Sequence, residues 1–205
     1  MRRRLIVAAV ALVVVAVGAA LLLRPDSKAA PRALYRGSVP PAGLSLPAFA
    51  LRDALSGASV QSRELRGKAV LVTFLDTRCK EACPIIEGQI AAALRRLGPA
   101  NRGRVVAIAI SVNPHVDMPA RVRAFLAEHR AAGLIRYVTG TPGQLGPVWK
   151  AFHILPAIAT GNDDIHSADV RVFDPSLRWV STLHTSIDLT PANLAHDARL
   201  AAGSA

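Results

Sequence analysis

The chain has 205 residues, 51% of them hydrophobic, enough for one domain with a real core plus an appended segment. Its 25 Lys and Arg against 14 Asp and Glu give a formal net charge of +11, but beyond Arg2, Arg3, Arg4 and Arg24 the basic residues are scattered without a long run. Nucleic-acid binding calls for a basic stripe with base-reading or stacking groups in a cytoplasmic protein, and neither condition is met.

The first element is an uninterrupted apolar run from Leu5 to Leu23, closed by Arg24 and Pro25. At about 1.5 Å per residue it spans roughly 28 Å, close to the hydrocarbon thickness of a bilayer. It is longer than the h-region of a cleaved signal peptide and ends in Leu-Leu-Leu-Arg-Pro rather than at an A-x-A-like site, so residues 1–24 are expected to be a permanent anchor rather than a signal segment. The arginines before it predict a cytoplasmic N-terminus. That makes a single-pass protein of the cytoplasmic membrane, its domain on the periplasmic side. Residues 25–45, rich in Pro, Gly, Ser and charge, are expected to be a tether, and residues 46–205 the domain.

The domain opens with "AFALRDALSGASVQSRELRGK", short apolar pieces around a turn, expected as a β-hairpin. "AVLVTFL", Ala69 to Leu75, is a continuous apolar run suited to a strand buried on both faces. "PIIEGQIAAALRRLG" follows with Ile86, Ile90, Ala93 and Leu97 at helical spacing, Pro84 in a first turn and Gly98-Pro99 as a stop. "RVVAIAIS" predicts a second buried strand, and "MPARVRAFLAEHRAAG" a second helix with Asp117 as its N-cap. "LIRYVT" predicts a short strand, and Thr141-Pro142 opens another helix. "ADVRVFD" and "RWVSTL" read as an antiparallel hairpin, and Thr190-Pro191 caps a last helix. βαβ first and ββα last predicts an α/β, thioredoxin-like fold: a mixed sheet flanked by helices, preceded by the N-terminal hairpin and one membrane-spanning helix.

The only two cysteines, Cys79 and Cys83, lie in "FLDTRCKEACP", at the carboxyl end of the first buried strand, where α/β sheets keep reactive groups. If the segment is helical from Cys79, one turn separates the two and both sulfurs project from the same side. Helix N-terminal amides would then lower their pKa values. CxxxC replaces the tight CxxC of dithiol oxidoreductases by helical-turn spacing, which suits disulfide closure and the clamping of a soft ion alike. A structural disulfide, a redox couple and a metal site all remain open, the disulfide being the default for an exported pair. A third ligand would come from histidine. His129 and His196 read as surface helix residues, His115, His153 and His184 as bland loop or strand-end residues. His166 differs, standing in a loop just before a strand.

"GKAVLVTFLDTRCKEACP", "ISVNPHVDMPARVRAFL", "VTGTPGQLGPVWKAF" and "DDIHSADVRVFDPSLRWV" occur in the order and spacing of the Sco/SenC family of membrane-anchored copper proteins, which the chain resembles from about Leu46 to Leu200. The resemblance implies one copper, Cu(I) or Cu(II), per domain, held by Cys79, Cys83 and His166. It implies a metallochaperone that helps assemble the copper centre of cytochrome c oxidase. Its partners would be the copper-site subunit of that oxidase or another copper enzyme, together with thiol-disulfide or copper-donor proteins. The alternative is a thiol-disulfide oxidoreductase in which Cys79 and Cys83 reduce an exported target. Asp117 matches the family's Asp-x-Pro element and is a candidate, with Asp76, to stand behind the ligands. The chain departs from the pattern at Lys80, where many relatives have Pro, at Asn113, where Asp is common, and at Ile165, which separates Asp164 from His166. Only Met1 and Met118 are present, which excludes a methionine-rich copper surface.

Overall fold

A computed structural model describes residues 35–164 and 167–203. The apolar run of residues 5–23 lies outside them, and among the described residues no helix is long and apolar enough to cross a membrane. His166 lies outside them too.

Among the described residues seven strands, numbered β1 to β7 in chain order, form one mixed sheet in the order β2-β1-β5-β4-β3-β6-β7. Its centre is parallel: β3 (Ala69–Leu75), β4 (Val105–Ser111) and β5 (Ile135–Thr139) run together. β6 (Asp169–Phe173) and β7 (Trp179–His184) extend it as the expected antiparallel hairpin. The opening hairpin, β1 (Ala50–Asp53) and β2 (Ser59–Gln61), does not stand ahead of the sheet. β1 pairs antiparallel with β5 and completes the other edge.

Every residue of β3 is buried, and its side chains alternate between two cores. Leu71 and Leu75 face α1 (Ala82–Arg96), α3 (Pro119–Glu128) and α6 (Pro191–Ala201), through Ile86, Ile90, Phe125, Leu126 and Leu194. Val70, Val72 and Phe74 face α4 (Pro142–Ala151), through Leu145, Val148 and Trp149. Two helices are short, α2 (Gly98–Arg102) and α5 (Ala157–Thr160). Gly98, at φ +72°, ends α1 as expected, since a left-handed residue stops an α-helix, but the chain turns directly into α2. Thr141 and Thr190 cap α4 and α6 by accepting from Gln144 N and Asn193 N.

The expected tether divides. Residues 25–34 lie outside the described part, while the chain from Tyr35 belongs to the folded unit and runs along β7. Ser38 and Thr182 exchange backbone hydrogen bonds, and Asp197 on α6, wholly buried, accepts from Arg36 N at 2.8 Å, Gly37 N at 3.1 Å and Ser181 Oγ at 2.6 Å. Gly37 is required by this close approach: a Cβ there would stand 2.4 Å from Thr182 O.

Candidate metal centre

The carboxyl ends of β3 and β4 carry the residues singled out in the sequence. β3 ends at Leu75, and the chain turns through Asp76, Thr77 and Arg78 to Cys79 before α1 begins at Ala82. Cys79 is therefore outside the helix and Cys83 inside its first turn. The helical-turn spacing expected from CxxxC is not what joins them. Instead the Cys83 N–H donates to Cys79 Sγ at 3.3 Å, so the first sulfur occupies an orphan amide of the helix start. The Asp76 N–H donates to Cys83 Sγ at 3.4 Å. Both cysteines are buried thiols rather than a disulfide.

Burial, and then the adjoining Cys79 sulfur, push the Cys83 thiol far above its ordinary pKa. This reverses the expectation drawn from helix position. Partial charges at a helix start are worth less than the desolvation of an anion with no exposed surface. Two sulfurs held this way could serve a soft cation, whose charge would replace the Cys83 proton.

Asp76 and Asp117 support the turn in different ways. Asp76 Oδ1 accepts from Arg78 N at 2.7 Å and Oδ2 from Asn113 Nδ2 at 2.9 Å. Burial nonetheless raises its carboxyl to about 6, the two hydrogen bonds pulling the other way. Asp117 is not the N-cap of α3. That position is Met118, and no side chain caps the helix. Asp117 points inward, 2% exposed, and accepts from Thr77 N at 2.9 Å, Thr77 Oγ1 at 2.7 Å, Ser111 Oγ at 2.5 Å and Tyr137 Oη at 2.8 Å. The Tyr137 hydroxyl also lies 2.8 Å from Leu75 O. Burial raises the Asp117 pKa against these bonds. The result is a brace from β4 and β5 onto the turn that carries Cys79.

Asn113 now has a physical reason. Its Nδ2 donates both to Asp76 Oδ2 and to Asp163 Oδ1, each at 2.9 Å. An aspartate there would put three carboxylates together. Asp163 also pairs with Arg78 at 3.0 Å. Asp164 Oδ1 accepts from Lys80 N at 2.7 Å, a bond that lowers its pKa. The stretch just before His166 is thus bonded to the cysteine turn at two places, through Arg78 and Lys80, and to Asn113 beside it. Asp163 and Tyr137 were absent from the sequence reading, since nothing local marks them; their roles depend on β5 and the 161–164 loop reaching the end of β3. Among the described residues no group of three His, Cys, Asp or Glu side chains is arranged to hold a metal ion.

A family profile described as SCO1/SenC matches residues 42–201. Protein SenC of Rhodobacter capsulatus is 33% identical over 132 residues, 61% of this chain but only 57% of its own length. Among solved structures, Bradyrhizobium japonicum ScoI with copper bound superposes with a TM-score of 0.63 at 27% identity, covering 77% of this chain and 99% of its own. Yeast Sco1 with copper bound superposes at 0.61 with 23% identity, over 73% and 85% of the two chains, a likeness of fold.

Proposed function

The chain belongs to the SCO1/SenC family, and from that premise we propose that it is a membrane-anchored copper-binding protein that serves the assembly of the copper centre of cytochrome c oxidase. In this reading residues 5–23 hold it in the cytoplasmic membrane with the domain on the periplasmic side. Copper is its cargo, one ion per domain, bound by Cys79, Cys83 and His166. The oxidase's copper-site subunit receives it.

The observation that carries the reading is the bond from Lys80 N to Asp164 Oδ1. It joins the first of the three residues between the two cysteines to a residue two positions before His166, so the sequence element that supplies the imidazole is tethered to the element that supplies the sulfurs. Two thiolates and an imidazole form a soft, low-coordinate donor set suited to Cu(I) and able to hold Cu(II). The raised Cys83 pKa fits a site that exchanges protons for a cation. The copper-bound Bradyrhizobium relative supports the choice of metal. The contact of Cys83 N with Cys79 Sγ keeps the sulfurs near enough that dithiol exchange with a target stands as the second reading.

The test is copper stoichiometry and absorption spectrum of the reduced full chain beside its His166→Ala variant. The proposal expects one copper per chain and a thiolate-to-Cu(II) band that collapses in the variant. Dithiol exchange with copper binding indifferent to His166 would select the oxidoreductase instead.

A further inference from the structure

The open cavity beside Cys79, about 830 Å³, extends from the cysteine turn along the groove between α1 and α3 and is lined there by Arg121, Phe125, Glu128 and His129. His129 reads from the sequence as an ordinary surface residue, yet its side chain is only 19% exposed. Its Nδ1 stands 2.9 Å from Phe125 O and 3.1 Å from Glu87 Oε2. A carbonyl oxygen only accepts, so Nδ1 carries the ring proton and Nε2 is left as the acceptor. Glu87, on α1 one turn after Cys83, has no exposed surface, and neither of its oxygens has a well-formed hydrogen bond apart from the approach to His129. A ring whose Nδ1–H is spent on a backbone carbonyl and the oxygen of a buried carboxyl group, with Nε2 remaining, is the arrangement by which proteins prepare a histidine for a metal.

We propose that His129 is a second metal-binding imidazole, a station for a copper or similar borderline transition-metal cation, with Nε2 as ligand and Glu87 as the group that orients the ring. Water completes the coordination, because no third His, Cys, Asp or Glu among the described residues joins it in a ready-made cluster. The basic residues of the cavity, Arg78, Lys80 and Arg121, are matched in number by Glu128, Asp163 and Asp164, so its charge does not exclude a cation. That the station feeds the cysteines rests on the copper reading above; the binding itself does not.

The experiment therefore removes the cysteines. The full chain carrying Cys79→Ser and Cys83→Ser is titrated with Cu(II), and bound metal is followed by electron paramagnetic resonance for coupling to imidazole nitrogen. The expected result is a nitrogen-coupled site kept in a further His166→Ala variant and lost in His129→Ala and in the gentler His129→Gln, each with an unchanged circular dichroism spectrum. Glu87→Gln keeps the nitrogen coupling and weakens binding about tenfold, the lower end of what outer partners of metal-bound histidines contribute. No nitrogen-coupled copper in the cysteine-free chain, or coupling indifferent to His129, overturns the proposal. Failure of the three-ligand site in the wild-type chain leaves this outcome unaffected, so the two readings fail separately.

Discussion

Two buried carboxylates, each beside a histidine, sit in different regions of the same layer of helices. At the anchoring edge, Asp197 accepts from Arg36 N, Gly37 N and Ser181 Oγ, with His196 Nδ1 at 2.9 Å. Beneath the cysteine turn, Glu87 has only His129. Both are fully buried, so burial is equal and the donors differ. Asp76 stands between them with two donors. Its carboxyl is raised to about 6, while Glu87, with burial as the larger cause and the Glu128 charge as the lesser, rises to about 8. The anchoring edge uses a buried acid to fix the chain. The cysteine end keeps acids whose desolvation is left partly uncompensated, as reactive sites do.

The largest expected effect breaks this comparison at Glu87. Below pH 4.5 its carboxyl is protonated in the folded and the unfolded chain; between 4.5 and 8 only the unfolded chain releases the proton, so stability falls as pH rises and levels above 8. The loss is on the order of 4–5 kcal/mol, and Glu87→Gln should flatten that part of a urea-midpoint profile. Asp76 acts with the same sign between about 4 and 6, and that portion should survive in the variant. An unchanged profile in Glu87→Gln would show that the buried acid is compensated after all.

Next in size, Asp197→Ala leaves three donors in a buried position without their acceptor. Urea unfolding should show a loss of about 3–4 kcal/mol, with proteolysis opening first at residues 35–38. A loss below about 1 kcal/mol would mean that water replaces the carboxylate and that the two regions do not differ as described. The smallest change sharpens the middle case: Asn113→Asp replaces the amide between Asp76 and Asp163 by a third carboxylate. It should destabilise the fold by about 2 kcal/mol at pH 7 and recover most of that at pH 4, when the acids share protons.

The strands were legible because β3 and β4 are short runs that are apolar but for Thr73 and Ser111, a pattern that suits a strand covered on both faces. The caps Thr141 and Thr190 were legible because threonine before proline supplies both an acceptor and the right backbone. Asp117 was misread for the same local reason. Its place just before Pro119 fits a cap, whereas Ser111, Thr77 and Tyr137 draw it inward from three separate segments. His129 was misread because a histidine among charged helix neighbours gives no sign of a glutamate 42 residues earlier on another helix.

What the sequence by itself determined was the order of elements, the position of the cysteine pair at a strand end, and the family, since these rest on local period, punctuation and motif. Tertiary structure decided which buried acids find donors, where Cys79 stands relative to the helix, and which way the Cys83 pKa moves. Those depend on desolvation and on hydrogen bonds between residues far apart in the chain, and both come into being only when the sheet brings its carboxyl ends together.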